Sequence, residues 1–165
     1  VCRDGDLYRQ TYSRGAPQSK IKKVGPAPKG RRGTSITFTP DPEIFGAKAK
    51  YRPEKIYKLI RAKAYLFRGV EIRWKCDPAL IGEGSSVPAE DVIHFPGGLS
   101  DFLKQELHGQ PIVGEFFSGE AELADGKGRV EWAIAWPQLD DDGHASLFCN
   151  TIPTPDGGTH EQGLR

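Results

Sequence analysis

An α+β fold is predicted for this 165-residue chain by three observations: a helical recurrence of apolar residues between Pro53 and Phe67, period-two alternation in several shorter segments, and Asp-Gly pairs set between β-prone runs. About a third of the residues are apolar, enough for a modest core in one ordinary domain or parts of two. No apolar run approaches the roughly 20 residues of a membrane span, and no charged-then-apolar leader opens the chain. The chain begins at Val1 and contains no methionine, so the expectation is an internal piece of a longer protein, which would have lost any leader. Cys2, Cys76 and Cys149 are odd in number and far apart, without a C-x-x-C pair. Neither a disulfide framework nor a zinc site is expected, and reduced thiols in a cytosol fit best.

The first hairpin is expected from Val1–Arg3 and Leu7–Tyr12 around Asp4-Gly5-Asp6, because glycine tolerates the positive φ of a tight turn. Residues 15–33 are rich in Gly, Pro and Lys and read as a loop, broken at most by a short strand around Ile21–Val24. A strand is predicted over Thr34–Thr39, with Ile36 and Phe38 on one face, stopped by Pro40, Asp41 and Pro42. Pro53 suits a first helical turn and Glu54 its positive end. Ile56, Leu59, Ile60, Ala64 and Phe67 form the apolar stripe, leaving Lys55, Lys58, Arg61 and Arg68 as a solvated basic face, with Gly69 ending the helix. Val70, Ile72 and Trp74 then alternate with Glu71, Arg73 and Lys75 as a half-buried strand. Residues 77–89 read as a loop, and a short helix is expected over Leu99–Leu107 before Gly109. From Phe116 the pattern becomes a meander of three β-segments joined at Asp125-Gly126 and Asp142-Gly143, the middle one carrying Val130, Trp132, Ile134 and Trp136. The chain ends in turn residues and a helix starting at Thr159, where Thr159 and Gln162 are spaced as a capping box.

The formal charge of +1 gives no overall signal of nucleic-acid binding. Lys20, Lys22, Lys23, Lys29, Arg31 and Arg32 crowd one stretch and Asp140, Asp141 and Asp142 another, and both read as solvated loops. His94, His108, His144 and His160 are dispersed, so no metal site is expected. No phosphate-binding glycine loop, H-E-x-x-H or G-x-S-x-G segment is present, and composition and spacing alone name no reaction.

Three segments carry more. Cys2-Arg3-Asp4-Gly5, then Gly33-Thr34-Ser35-Ile36-Thr37-Phe38 with Pro40-Asp41-Pro42-Glu43-Ile44-Phe45, then Asn150-Thr151-Ile152-Pro153-Thr154 with Gly157-Gly158-Thr159-His160-Glu161-Gln162-Gly163 resemble, in this order, the ATPase (B) subunits of bacterial type II DNA topoisomerases, gyrase and topoisomerase IV. Residues 149–156 and the Trp132–Trp136 strand are more similar to the topoisomerase IV branch. The resemblance implies that residues 1–110 are the later part of a GHKL (Bergerat-type) ATPase α/β sandwich and that residues 111–165 open a transducer domain like the second domain of ribosomal protein S5. It implies ATP and Mg2+ as ligands of the whole protein, with DNA, a homodimeric mate and the A subunit of an A2B2 complex as partners, in the cytoplasm and without a membrane. Thr34, after Gly33, would face the adenine pocket, and Arg3 would stand at its rim, where the family's coumarin inhibitors reach. Thr159 and Gln162 would cap the transducer helix. No catalytic residue is expected in this stretch: the general-base glutamate, the magnesium-binding asparagine and the glycine-rich lid would lie upstream, and the lysine for the γ-phosphate downstream. The alternatives are the B component of a gyrase, which would supercoil rather than decatenate, and a non-catalytic S5-like binding module.

Overall fold

The computed structural model describes residues 1–138 and 143–163, in two compact units, Val1–Lys50 and Tyr51–Arg165. The Asp140–Asp142 cluster, the turn at Asp142 and any helix beyond Gly163 lie outside the described residues.

The first unit is built on short antiparallel strands. β1 (Cys2–Arg3) and β2 (Asp6–Arg9) pair around Asp4 and Gly5, both at positive φ (52° and 82°), as the Asp-Gly signal requires. A second small hairpin, β3 (Tyr12–Ser13) and β4 (Ala16–Pro17), turns through Arg14 and Gly15 at φ 51° and 81°. Arginine is an uncommon choice for a left-handed position, so this turn had no sequence signal. β5 (Lys22–Pro26) joins β2 on the side away from β1, with a register shift between Leu7 and Tyr8, and replaces part of the expected loop. The strand expected over Thr34–Thr39 does not form. Cys2 opposite Gly33 is an isolated bridge. In that antiparallel register Thr34 falls opposite Val1, and residues 35–39 face no strand among the described residues. Ile36 and Phe38 are accordingly 82% and 73% exposed. The proline-rich stop becomes a short helix, α1 (Pro42–Phe45), capped by Asp41, whose carboxylate accepts the Glu43 N–H at 2.9 Å.

The second unit packs α2 (Pro53–Leu66) on the two-stranded ladder of β6 (Glu71–Lys75) and β7 (Glu90–His94) and against α3 (Leu99–Glu106). The core is Ala62, Ala64, Tyr65, Ile93 and Phe95, with Tyr57, Trp74, Phe102 and Phe148 packed against it. Tyr65 stacks on Phe102 at 3.9 Å and meets Phe95 and Phe148 edge-on. The buried stripe of α2 is therefore rotated from the expected one. Leu59 and Phe67 are about half exposed, while Tyr57, Ala62 and Tyr65 turn inward, where Tyr57 meets Trp74 and Tyr65 meets Phe95, Phe102 and Phe148. The basic face is also less solvated than expected: Arg61 bonds Gln105 and Glu106, and Arg68 bonds Glu131.

β8 (Phe117–Glu122) and β9 (Arg129–Ile134) form an antiparallel ribbon turning through Asp125-Gly126. The expected third segment does not extend it. β10 (Phe148–Cys149) instead pairs with β11 (Ile152–Pro153) across Asn150 and Thr151, both at positive φ. A four-residue helix, α4 (Thr159–Gln162), starts where expected, but the capping box of Thr159 and Gln162 does not form. Gly158 is the N-cap, and its carbonyl accepts from Glu161 and Gln162 at 3.1 and 3.2 Å. Thr159 is thus already inside the helix, one position too late for its hydroxyl to cap.

Candidate functional site

The expected site residues Arg3, Gly33 and Thr34 all fall in the first unit, and hydrogen bonding of the backbone draws two of their segments together. The Cys2 N–H donates to the Gly33 carbonyl at 2.8 Å and the Gly33 N–H returns to the Cys2 carbonyl at 3.0 Å. Gly33 sits at φ 135°, a conformation that other residues rarely adopt. The preceding turn is fixed by Arg31 N–H to the Pro28 carbonyl at 3.0 Å, and its base is tied to the first hairpin by Ala27 N–H to the Gly5 carbonyl at 2.8 Å. A concavity of about 260 Å³ results, with Cys2 and Leu7 on one side and Arg31, Arg32, Gly33 and Thr34 on the other.

Gly33 and Thr34 therefore line one hollow. Arg3, next to Cys2 on β1, does not; its exposed guanidinium lies 3.6 Å from Asp4. Arg31 and Arg32, which read as solvated loop from sequence, do line it. Their position immediately before Gly33 was the signal that could have placed them. The hollow is lined mostly by apolar atoms, so it presents chiefly a non-polar wall, with Thr34, Arg31 and Arg32 as its polar and charged residues. Its lining contains no paired acid and base. Among the described residues no group of three or more His, Cys, Asp or Glu could hold a metal ion.

Thr159 and Gln162 lie in the other unit, as part of α4. His160 Nε2 is 3.3 Å from the Thr154 hydroxyl, a local contact that orients the segment before α4. The shifted phenols are structural. Tyr65 is pushed up to about 12, mainly by burial, with Arg61 opposing. Tyr57 is pushed up to about 12 by burial and by donating to Asp91 at 2.5 Å.

Comparison with known proteins gives this geometry a context. The family model described as DNA gyrase B matches residues 98–165. The whole chain aligns with the B subunit of DNA topoisomerase 4 from Bartonella bacilliformis at 50% identity and with that from Caulobacter vibrioides at 46%, in each case over 24% of the relative's length. The B subunit of DNA gyrase from Staphylococcus epidermidis is 32% identical over the same share. The chain thus spans about a quarter of the length of the curated relatives it matches. Among solved structures, the 43K ATPase domain of Thermus thermophilus gyrase B, crystallised with an aminocoumarin, superposes with a TM-score of 0.75 at 32% identity, over 98% of this chain and 41% of that one. By whole-length sequence similarity and by fold, the chain belongs to the family of DNA gyrase and topoisomerase IV B subunits, nearer to those named for topoisomerase IV.

Proposed function

We propose that this chain is part of the ATP-hydrolysing B subunit of a topoisomerase IV, which drives ATP-dependent passage of one DNA duplex through another. The observation that carries the reading is alignment of the entire chain with topoisomerase IV B subunits at 43–50% identity, well above the 32% to a gyrase B. Residues 1–110 are assigned to the later part of a GHKL ATPase domain and residues 111–165 to the start of the transducer. Two nucleotide-bound subunits would close as a gate, with the transducer relaying phosphate loss to an A subunit that breaks and rejoins DNA, in a cytoplasmic A2B2 assembly.

Within this reading the hollow at Gly33 is one wall of the nucleotide pocket. The Thr34 hydroxyl would help fix the adenine, and Arg3, which lies outside the hollow beside Asp4, is assigned to the pocket's rim, where it would meet an aminocoumarin. Mg2+ would enter with the nucleotide, and none of this chain's residues is assigned to it. Positioning and electrostatic stabilisation of the transferred phosphoryl group require donors converging on it, and the groups placed here supply only the base-side wall. The test is strand passage by the full-length protein with its A subunit on interlinked DNA circles. ATP-dependent unlinking supports the reading. Negative supercoiling of relaxed circles would make it a gyrase, and no topological change with ATP and both subunits present would refute it.

A further inference from the structure

The near-neutral charge of the chain conceals a strong asymmetry. Eleven of its 23 Lys and Arg, but only four of its 22 Asp and Glu, fall within Val1–Lys50, a formal +7 against −6 for the rest. All four carboxylates of the first unit are already engaged. Asp4 lies by Arg3, Asp6 by Lys23 at 2.6 Å, and Asp41 and Glu43 by Arg14 at 2.6 and 2.7 Å. Arg9, Lys20, Lys22, Lys29, Arg31, Arg32, Lys48 and Lys50 have no carboxylate partner among the described residues.

Several of these cations are held on ordered backbone. Arg9 and Lys22 are directly opposite each other in the β2–β5 ladder, a like-charge cross-strand pair that costs stability. The turn carrying Lys29, Arg31 and Arg32 is fastened to the first hairpin through Ala27 and Gly5. On its other side a second concavity, about 370 Å³, is lined by Lys29, Arg31 and Arg32 together with Asp4. Repelling cations kept on a fixed framework, without internal counterions, match an external polyanion. A duplex backbone presents one negative charge about every 1.7 Å of axis and can engage several such groups at once. The hollow's own ligand could engage Arg31 and Arg32 but gives no reason for Arg9, Lys22 and Lys29.

We propose that Arg9 and Lys22 on the β2–β5 ladder, with Lys29, Arg31 and Arg32 on the turn that follows β5, form a sequence-independent contact surface for the phosphate backbone of duplex DNA. The surface rests on the proposed function for its partner, but binding here needs no nucleotide. The experiment measures binding of the full-length protein to a fluorescent DNA duplex over a range of salt, without ATP. The variant combines Arg9→Gln, Lys22→Gln and Lys29→Gln, leaving Arg31 and Arg32 intact because they also line the hollow at Thr34. Its log K against log salt slope should be shallower by about 0.9 per lost contact, and its affinity at low salt at least about tenfold weaker. Removing the Arg9–Lys22 repulsion should leave the melting temperature unchanged or higher, which separates lost contacts from lost folding. An unchanged slope and affinity would overturn the surface, as would a loss seen only in nucleotide affinity. Strand passage by the same proteins is a separate readout: intact ATP-dependent passage with an unchanged DNA slope removes this surface and leaves the proposed function standing.

Discussion

Lys63 ties helix α2 to the far end of the chain by donating to both oxygens of Thr151, the hydroxyl at 2.6 Å and the carbonyl at 3.0 Å. Thr151 is β-branched and sits at φ 67°, where an L-residue costs roughly 1–2 kcal/mol. A charged donor on both oxygens offsets that strain. Lys63→Met should lower stability by about 1.5–3 kcal/mol in denaturant unfolding. A double-mutant cycle with Thr151→Gly should show coupling of about 1 kcal/mol, and additivity would mean that the lysine does not hold the turn. Tyr57 and Tyr65 make a second prediction at this scale. Their folded pKa values lie near 12, above the ordinary 10, so the neutral phenols are favoured by folding. That contribution is complete below about pH 10 and is lost as pH rises towards 12. Alkaline unfolding should therefore steepen between pH 10 and 12, and Tyr57→Phe with Tyr65→Phe should flatten it. Neither behaviour was legible in the sequence, since α2's stripe gave Lys63 no partner and left Tyr57 and Tyr65 off the core.

At the scale of elements, the β8–β9 ribbon depends on one close approach. A Cβ on Gly119 would lie 2.7 Å from the indole of Trp132, its cross-strand partner. Gly119→Ala should destabilise by about 1–3 kcal/mol in thermal or denaturant unfolding, through displacement of that ring. A neutral effect would mean that the indole moves freely. The elements legible in advance follow chain-local rules. The Asp4-Gly5 turn, the α2 span from Pro53 and the alternation of β6 need only neighbouring residues to be read. The failures share a different cause, dependence on a distant partner. Residues 34–39 alternate well, yet 35–39 have no strand beside them among the described residues, and the third meander segment pairs with itself across Asn150 and Thr151. The Thr159 box failed by one residue, because the carbonyl of Gly158 begins the helix.

For the molecule as a whole, the chain divides into its compact units between Lys50 and Tyr51, whereas the pattern change near Pro111 marks the proposed passage from ATPase domain to transducer. The two divisions need not coincide, since α3 packs on β9 and Arg68, just after α2, pairs with Glu131, both across the later boundary. The candidate site was legible only in part. Gly33 and Thr34 could be singled out by resemblance, but their meeting with Cys2 and Leu7, and the entry of Arg31 and Arg32, depend on backbone pairing that no local pattern encodes. If this hollow is one wall of a nucleotide pocket, calorimetric titration with a non-hydrolysable ATP analogue reads it without the rest of the reaction cycle. The full-length protein should bind the analogue. Thr34→Ala should weaken it by the order of a hydrogen bond, roughly 1–2 kcal/mol, with little change in melting temperature, and the 165-residue chain alone should show no tight binding. An unchanged affinity together with a sharp fall in melting temperature for Thr34→Ala, or micromolar binding by the isolated chain, would show that Thr34 does not serve such a pocket.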